Sequence, residues 1–170
     1  MGPAQHAPDQ PYAITFPMKD AKLPMISLDD LGKQVVQVFK NKNTIGSTVH
    51  VSSENLTCQE IADIFTKVCG YEVIYNDVPV DVFASFPFPG AADLANMFRY
   101  YEENEEEFVG DRDIAKVEKM MGQPTTKFED WVRENKAAFA VKETSGAKSG
   151  HHEGHEGHDH EICCAGCTIQ

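Results

Sequence analysis

Thr57-Cys-Gln-Glu-Ile-Ala-Asp-Ile-Phe-Thr-Lys-Val-Cys-Gly70, followed at once by Glu72-Val-Ile-Tyr-Asn76, sets the fold class. Thr57 and Glu60 have capping-box spacing, which satisfies orphan amides at a helix start. Ile61, Ile64, Phe65 and Val68 recur at helical period, and Gly70 supplies a left-handed stop. The β-branched run 72–76, with Pro79 close behind, then reads as a strand.

Upstream, Tyr12-Ala-Ile-Thr-Phe16 is a short strand closed by Pro17. Ser27 caps a helix that runs to about Lys40, with Asp30 suited to its first turn. Leu28, Leu31, Val35, Val38 and Phe39 give that helix an apolar face. A connection over 41–46 leads to the alternating sequence Thr48-Val-His-Val-Ser52, which predicts a further strand.

Downstream the pattern is helical. Phe86-Pro-Phe-Pro-Gly90 is a rigid entry to a helix over 91–103, whose stripe is Leu94, Met97, Phe98 and Tyr101. The glutamates of 102–107 read as a solvated helix end or loop. Asp111 is the expected cap of a short helix through Ile114, Val117 and Met121. Thr126 and Glu129 have the spacing of a second capping box, before a helix running to about Phe139. The chain is therefore α/β at its beginning and all-helical at its end.

The chain of 170 residues carries a net charge of −12. So acidic a surface offers no footprint for nucleic acid. No apolar run is long enough to span a membrane, and the N-terminus lacks a secretory pattern. Five cysteines, an odd number crowded toward the C-terminus, make no disulfide framework and point to a reducing compartment. The expected divisions are an irregular, proline-rich stretch over 1–11, an ordered region over 12–142 and a disordered tail over 143–170.

Catalytic signatures are missing. No glycine-rich turn joins a strand to a helix, and the P-loop and Gly-x-Ser-x-Gly patterns are absent. No tyrosine is followed four residues later by a lysine. His50 is a candidate base, although a lone strand histidine is far more often structural. Cys58 lies in a helix's first turn, where the dipole lowers a thiol pKa. With no histidine partner evident, an inert thiol is the better reading. The ordered region is not expected to be an enzyme.

The tail carries two other chemistries. His151, His152, His155, His158 and His160, interspersed with acids, offer neutral imidazoles to Zn²⁺ or another divalent metal. Cys163, Cys164 and Cys167 add soft ligands, but the spacing matches no closed zinc module. Cys167-Thr-Ile-Gln170 also fits the prenylation pattern C-a-a-X. Cys163 and Cys164 stand where palmitoylation would supply the second chain that stable membrane anchoring requires.

Phe88-Pro-Gly-Ala-Ala-Asp-Leu-Ala-Asn-Met-Phe-Arg-Tyr100 closely resembles a late stretch of the NmrA-like family, specifically its animal redox-sensor members. The similarity continues through Asp111-Arg-Asp-Ile114 and Pro124-Thr-Thr-Lys-Phe-Glu-Asp-Trp131. Upstream, Tyr12 to Pro24 with Met25-Ile-Ser-Leu-Asp-Asp-Leu-Gly32 resembles the family's exit from its nucleotide-binding half. The resemblance implies the C-terminal part of an NAD(P)-binding, Rossmann-like fold of the atypical short-chain dehydrogenase type, with a small α+β or helical subdomain. It further implies a non-catalytic sensor of NADP(H), cytoplasmic and nuclear, that works through other proteins in a regulatory complex and by self-association. The family's dinucleotide contacts come from segments with no counterpart here, so the chain corresponds to the C-terminal half, as a fragment, an incomplete gene model or a truncated paralogue. A reductase resembling the isoflavone-reductase branch is the alternative. By the same resemblance, Phe86, Phe88 and Met97 lie beside the cleft between the two halves; from the residues alone, the elbow around Phe83 reads as core packing.

Overall fold

The computed structural model describes residues 2–5 and 10–140. Strand β1 (Tyr12–Phe16) pairs in parallel with β4 (Val73–Asp77), from Tyr12 opposite Val73 to Phe16 opposite Asp77. On the other edge of β1, Ala13 bridges Ala4. A second ribbon joins β2 (Lys22–Met25) antiparallel to β3 (Glu54–Thr57). Between β2 and β3 lies helix α1 (Leu28–Lys40); α2 (Cys58–Cys69) leads from β3 into β4. The remainder is helical: α3 (Val80–Ala84), α4 (Ala91–Glu103), α5 (Glu105–Gly110), α6 (Ile114–Met121) and α7 (Phe128–Glu134), closed by a 3₁₀ turn at Lys136–Phe139.

The local signals around α2 act as the sequence predicts. Thr57 Oγ1 accepts from the Glu60 amide at 3.1 Å, and Glu60 Oε2 accepts from the Thr57 amide at 2.8 Å. Gly70 ends the helix at φ 83°, a left-handed conformation that costs glycine little. Helix α2 then serves two cores. Ile61, Ala62 and Phe65 pack with Ile14, Val73 and Val132 beneath Phe128, Trp131 and Phe139. Cys58, on the same helix, joins Met18, Ala21, Phe83, Ala95 and Phe98. Phe65 meets Phe128 and Phe139 edge-on, at centroid separations of 5.6 and 5.0 Å. Edge-to-face pairs of this kind add about 0.5–1.5 kcal/mol each beyond simple burial.

Three local expectations are corrected. Residues 48–52 are not a strand: the segment is irregular, and the strand comes later, at β3. Alternation supplies a face, but a strand also needs a neighbouring backbone, and Thr48–Ser52 pairs with none among the described residues. The cap of α6 is Asp113, which accepts from the Lys116 amide at 3.2 Å, rather than Asp111.

Thr126 and Glu129, finally, form no capping box: α7 begins after Lys127, without a side-chain cap of its own. Two distant carboxylates do that work. Glu54 Oε2 accepts from the Phe128 amide, and Asp30 Oδ2 from the Thr126 amide, both at 2.6 Å. Glu129 is instead held by Lys67 and Arg133.

Helix α1 has the predicted ends: Ser27 Oγ accepts from the Asp30 amide, and the helix stops at Lys40. Its inward face, however, is polar. Asp30 and Gln34 are buried, the latter donating from Nε2 to Val117 O at 2.8 Å; of the predicted apolar stripe, Leu31 and Val38 are half-buried while Leu28, Val35 and Phe39 are exposed. Leu28 is 71% exposed and Phe39 86%. Hydrophobic period locates an apolar face but not its partner.

Candidate functional site

In parallel α/β folds, binding and chemistry gather beyond the carboxyl ends of the strands. Here those ends are Phe16 and Asp77, opposite one another in register. Tyr75 and Asp77 are two residues apart on β4 and so share a face. The Tyr75 hydroxyl lies 2.9 Å from Asp77 Oδ1 and 3.0 Å from Phe16 O, and accepts from the Met18 amide at 3.2 Å. Asp77 Oδ1 also accepts from the Lys19 amide at 3.1 Å. Together these bonds hold the chain through Pro17 and Met18 into Lys19, whose φ of 45° is the one left-handed non-glycine conformation among the described residues. Lys19 Nζ closes the turn against Glu102.

The acid–base character of this corner follows from its packing. Burial, with the Asp77 charge adding to it, pushes the Cys58 thiol up to about 12, despite a hydrogen bond with Tyr75 that acts the other way. The Tyr75 phenol is raised as well, first by burial and then by its bond to Asp77. At neutral pH the thiol is protonated and the phenol is neutral, so neither is a nucleophile or a ready base. Asp77 accepts two bonds that define the turn. The arrangement fixes backbone.

The residues singled out from the sequence take the following places. Phe86 and Phe88 pack on Phe83, at centroid distances of 5.2 and 5.9 Å, and Met97 packs against the same cluster. His50 Nε2 stands 4.0 Å from Asp111 Oδ2 at a small pocket also lined by Asp113 and Lys116. Both members of that pair are well exposed, so their attraction is weak. Of the acid run, Glu102 pairs with Lys19 and Glu105 Oε1 accepts from the Lys22 amide, tying the end of α4 to the turn after β1 and the start of α5 to β2. His151, His152, His155, His158, His160, Cys163, Cys164 and Cys167 lie outside the described residues. Among the described residues, no group of three or more His, Cys, Asp or Glu is disposed to hold a metal, and no helix is long and apolar enough to cross a membrane.

A dinucleotide does not fit the described residues. Pyrophosphate is held by free amides at a helix start behind a glycine-rich turn. The starts of α1 and α2 are closed by Ser27 and by the Thr57–Glu60 box. Helix α4 begins at Gly90 without a side-chain cap, but Asp93 in its first turn opposes an anion.

The sequence model of the NmrA-like family matches residues 1–134. The chain belongs to the NmrA-like family. Among solved structures, NmrA, a negative transcriptional regulator crystallised with NAD, is 18% identical; the match covers 80% of this chain and 48% of that one, with a TM-score of 0.59. The triphenylmethane reductase of Citrobacter sp., complexed with NADP(H), is 19% identical over 72% of this chain and 44% of its own, with a TM-score of 0.57. An NADPH-dependent quinone oxidoreductase of Escherichia coli is 22% identical over 72% and 46%, with a TM-score of 0.58. At these identities the likeness is one of fold. This NmrA-like chain spans less than half the length of each of the three structures.

Two groups of functional interest escaped sequence reasoning. The spacing of Tyr75 and Asp77 shows that they share a strand face, but their joint hold on Met18 and Lys19 spans 57 and 58 residues. The apolar stripe of α1 was visible as a stripe, and only the fold shows that Leu28, Val35 and Phe39 of it are exposed.

Proposed function

We propose that this chain is the partner-binding half of an NADP(H)-responsive redox sensor, a regulatory protein of the NmrA-like family rather than a catalyst. The observation that carries this reading is the corner at the ends of β1 and β4. Where a parallel fold would place its chemistry, Tyr75, Asp77 and Cys58 are committed to holding a turn. NADP(H) would be held outside the described residues, by a dinucleotide-binding half of the kind present in the longer relatives. On this reading the protein works in cytoplasm and nucleus by exchanging protein partners. The tail would be an appendage that binds divalent metal loosely or, if prenylated at Cys167, tethers the protein to membrane.

Affinity isolation of the full chain from its own cells, with the NADPH/NADP⁺ ratio set oxidising or reducing, tests the proposal. Partner composition should change with the ratio. An unchanged set of partners would contradict a sensor role. A second reading, an NAD(P)H-dependent oxidoreductase, draws support from the likeness in fold to the triphenylmethane reductase and the quinone oxidoreductase. It requires a proton donor, and the Tyr75 phenol, raised in pKa and bonded to Asp77 and Phe16, is a weak one.

A further inference from the structure

Helix α7 has seven residues and no side-chain cap of its own. A helix so short is marginal in water unless packing sustains it. Its entry is gripped instead by carboxylates from three other elements. Glu118 Oε1, on α6, accepts from the Thr125 amide at 3.1 Å. Asp30 Oδ2, on α1, accepts from the Thr126 amide, and Glu54 Oε2, on β3, from that of Phe128, both at 2.6 Å. A charged acceptor makes such bonds roughly twice as strong as neutral ones. Lys127 Nζ adds a bond to Ser53 O at 3.4 Å and stands 4.0 Å from Glu54 Oε1.

On either side of this grip the chain is arranged as a separate piece. Before it, Gly122 ends α6 in the left-handed region at φ 72°, and Gly122, Gln123 and Pro124 are exposed. After it, α7 packs chiefly on α2, with Val132 fully buried and Phe128 and Trp131 against the Phe65 cluster. The 3₁₀ turn completes the cover: the Phe139 ring lies 5.0 Å from that of Phe65, and the Tyr71 hydroxyl donates to Phe139 O at 3.0 Å. The other buried members of the cluster, Ile14, Ile61, Ala62 and Val73, lie on β1, α2 and β4, whose own ladder and helix bonds do not run through α7. The second cluster, around Phe83 and Phe98, contains no residue of α7.

We propose that residues 125–139 are a strap that opens as one unit, hinged at 122–124 and latched by Asp30, Glu54 and Glu118, and that its opening bares the Phe65 side of α2. Units of this kind open below the free energy of global unfolding. Releasing the latch frees the entry amides together, so α7 and the closing turn let go in one step. The β1–β4 pair and the Phe83–Phe98 cluster keep their structure. The strap is independent of the sensor reading, since its parts belong to neither the corner at Tyr75 nor a cofactor site.

Native-state hydrogen exchange of the full chain, read by mass spectrometry of peptic peptides, tests the strap. Amides of 128–139 should share one opening equilibrium, populated roughly tenfold or more above that of 91–103, which reports α4. Glu54→Ala should raise opening of 128–139 by a further factor of about ten or more and leave 91–103 unchanged. Glu54→Gln keeps the size and an acceptor oxygen without the charge. It should give a smaller rise in the same place, and it serves if the alanine variant does not fold. Protection of 128–139 equal to or above that of 91–103, or residue-by-residue exchange along α7, would overturn the proposal. So would Glu54 variants that leave 128–139 unmoved or raise both regions alike.

Discussion

Replacing Asp30 with alanine should destabilise the chain far more than replacing its neighbour Asp29. Asp30 is fully buried; one carboxylate oxygen accepts from the Thr126 amide at 2.6 Å and the other from Lys33 Nζ at 2.9 Å. Hydrogen bonds to a charged group contribute about 1.5–3 kcal/mol, and an orphaned buried amide costs roughly 1–3 kcal/mol. These two figures describe the same loss from either side, and half-exposed Lys33 regains water, so the net cost is about 2–3 kcal/mol. Asp29 is exposed, and its alanine variant should stay within about 0.5 kcal/mol of the parent. The pH dependence carries a second signature. Burial alone would raise the Asp30 pKa, but the bonds from Thr126 and Lys33 outweigh it and the net shift is downward. A lowered folded-state pKa means that the carboxylate's contribution is fully present above its unfolded value, about 3.9. It is lost as pH falls through the lower folded value. Urea unfolding of parent and Asp30→Ala from neutral to acid pH should show a gap that narrows only below about pH 4. A neutral-pH gap under about 0.5 kcal/mol would refute the anchoring role, because it would match an ordinary surface site. A gap constant through the acid range would refute the charge-based part.

Thr57→Ala removes the hydroxyl of the α2 capping box and should cost about 1 kcal/mol by urea unfolding. Cys58, buried with its thiol pushed up to about 12, should resist alkylation in the folded chain while half-buried Cys69 reacts before it, as peptide mapping would show. Zinc titrated into the full chain at neutral pH should release protons and bind far more weakly below about pH 6, where imidazoles protonate. A chain ending at residue 142 should show neither effect.

The legible parts of the fold were those decided within a few residues. The α2 capping box, the Gly70 stop and the limits of α1 and α4 rest on near neighbours, and each stands where the sequence put it; the strand Tyr12–Phe16 also stands there, although its partner β4 is 61 residues on. What escaped depends on partners far along the chain. Glu54 and Asp30 reach the start of α7 across 74 and 96 residues, so a local capping box at Thr126 was the natural but incorrect expectation. Strand β2 contains Pro24, which breaks the local strand signal, yet the ribbon with β3 accommodates it. Strands and apolar faces are two-body features. Among the described residues Thr48–Ser52 alternates without a paired backbone, and Leu28, Val35 and Phe39 of α1 stay exposed.

The candidate site divides along the same line. That Cys58 lies in the first turn of α2 was readable, and the dipole alone would have lowered its pKa. Packing against Met18, Phe83 and Phe98 reverses the sign. No sequence pattern reports that desolvation, because the residues that bury Cys58 come from three separate stretches of chain.

NADPH consumption by the purified full chain, with a quinone and then a triphenylmethane dye as acceptor, tests the central claim most directly. The chain should oxidise no more NADPH than buffer does, since Tyr75, Asp77 and Cys58 are held as structure and the starts of α1, α2 and α4 do not suit a dinucleotide. Protein-dependent oxidation that falls in Tyr75→Phe would contradict the account and make the turn at Lys19 part of an active site.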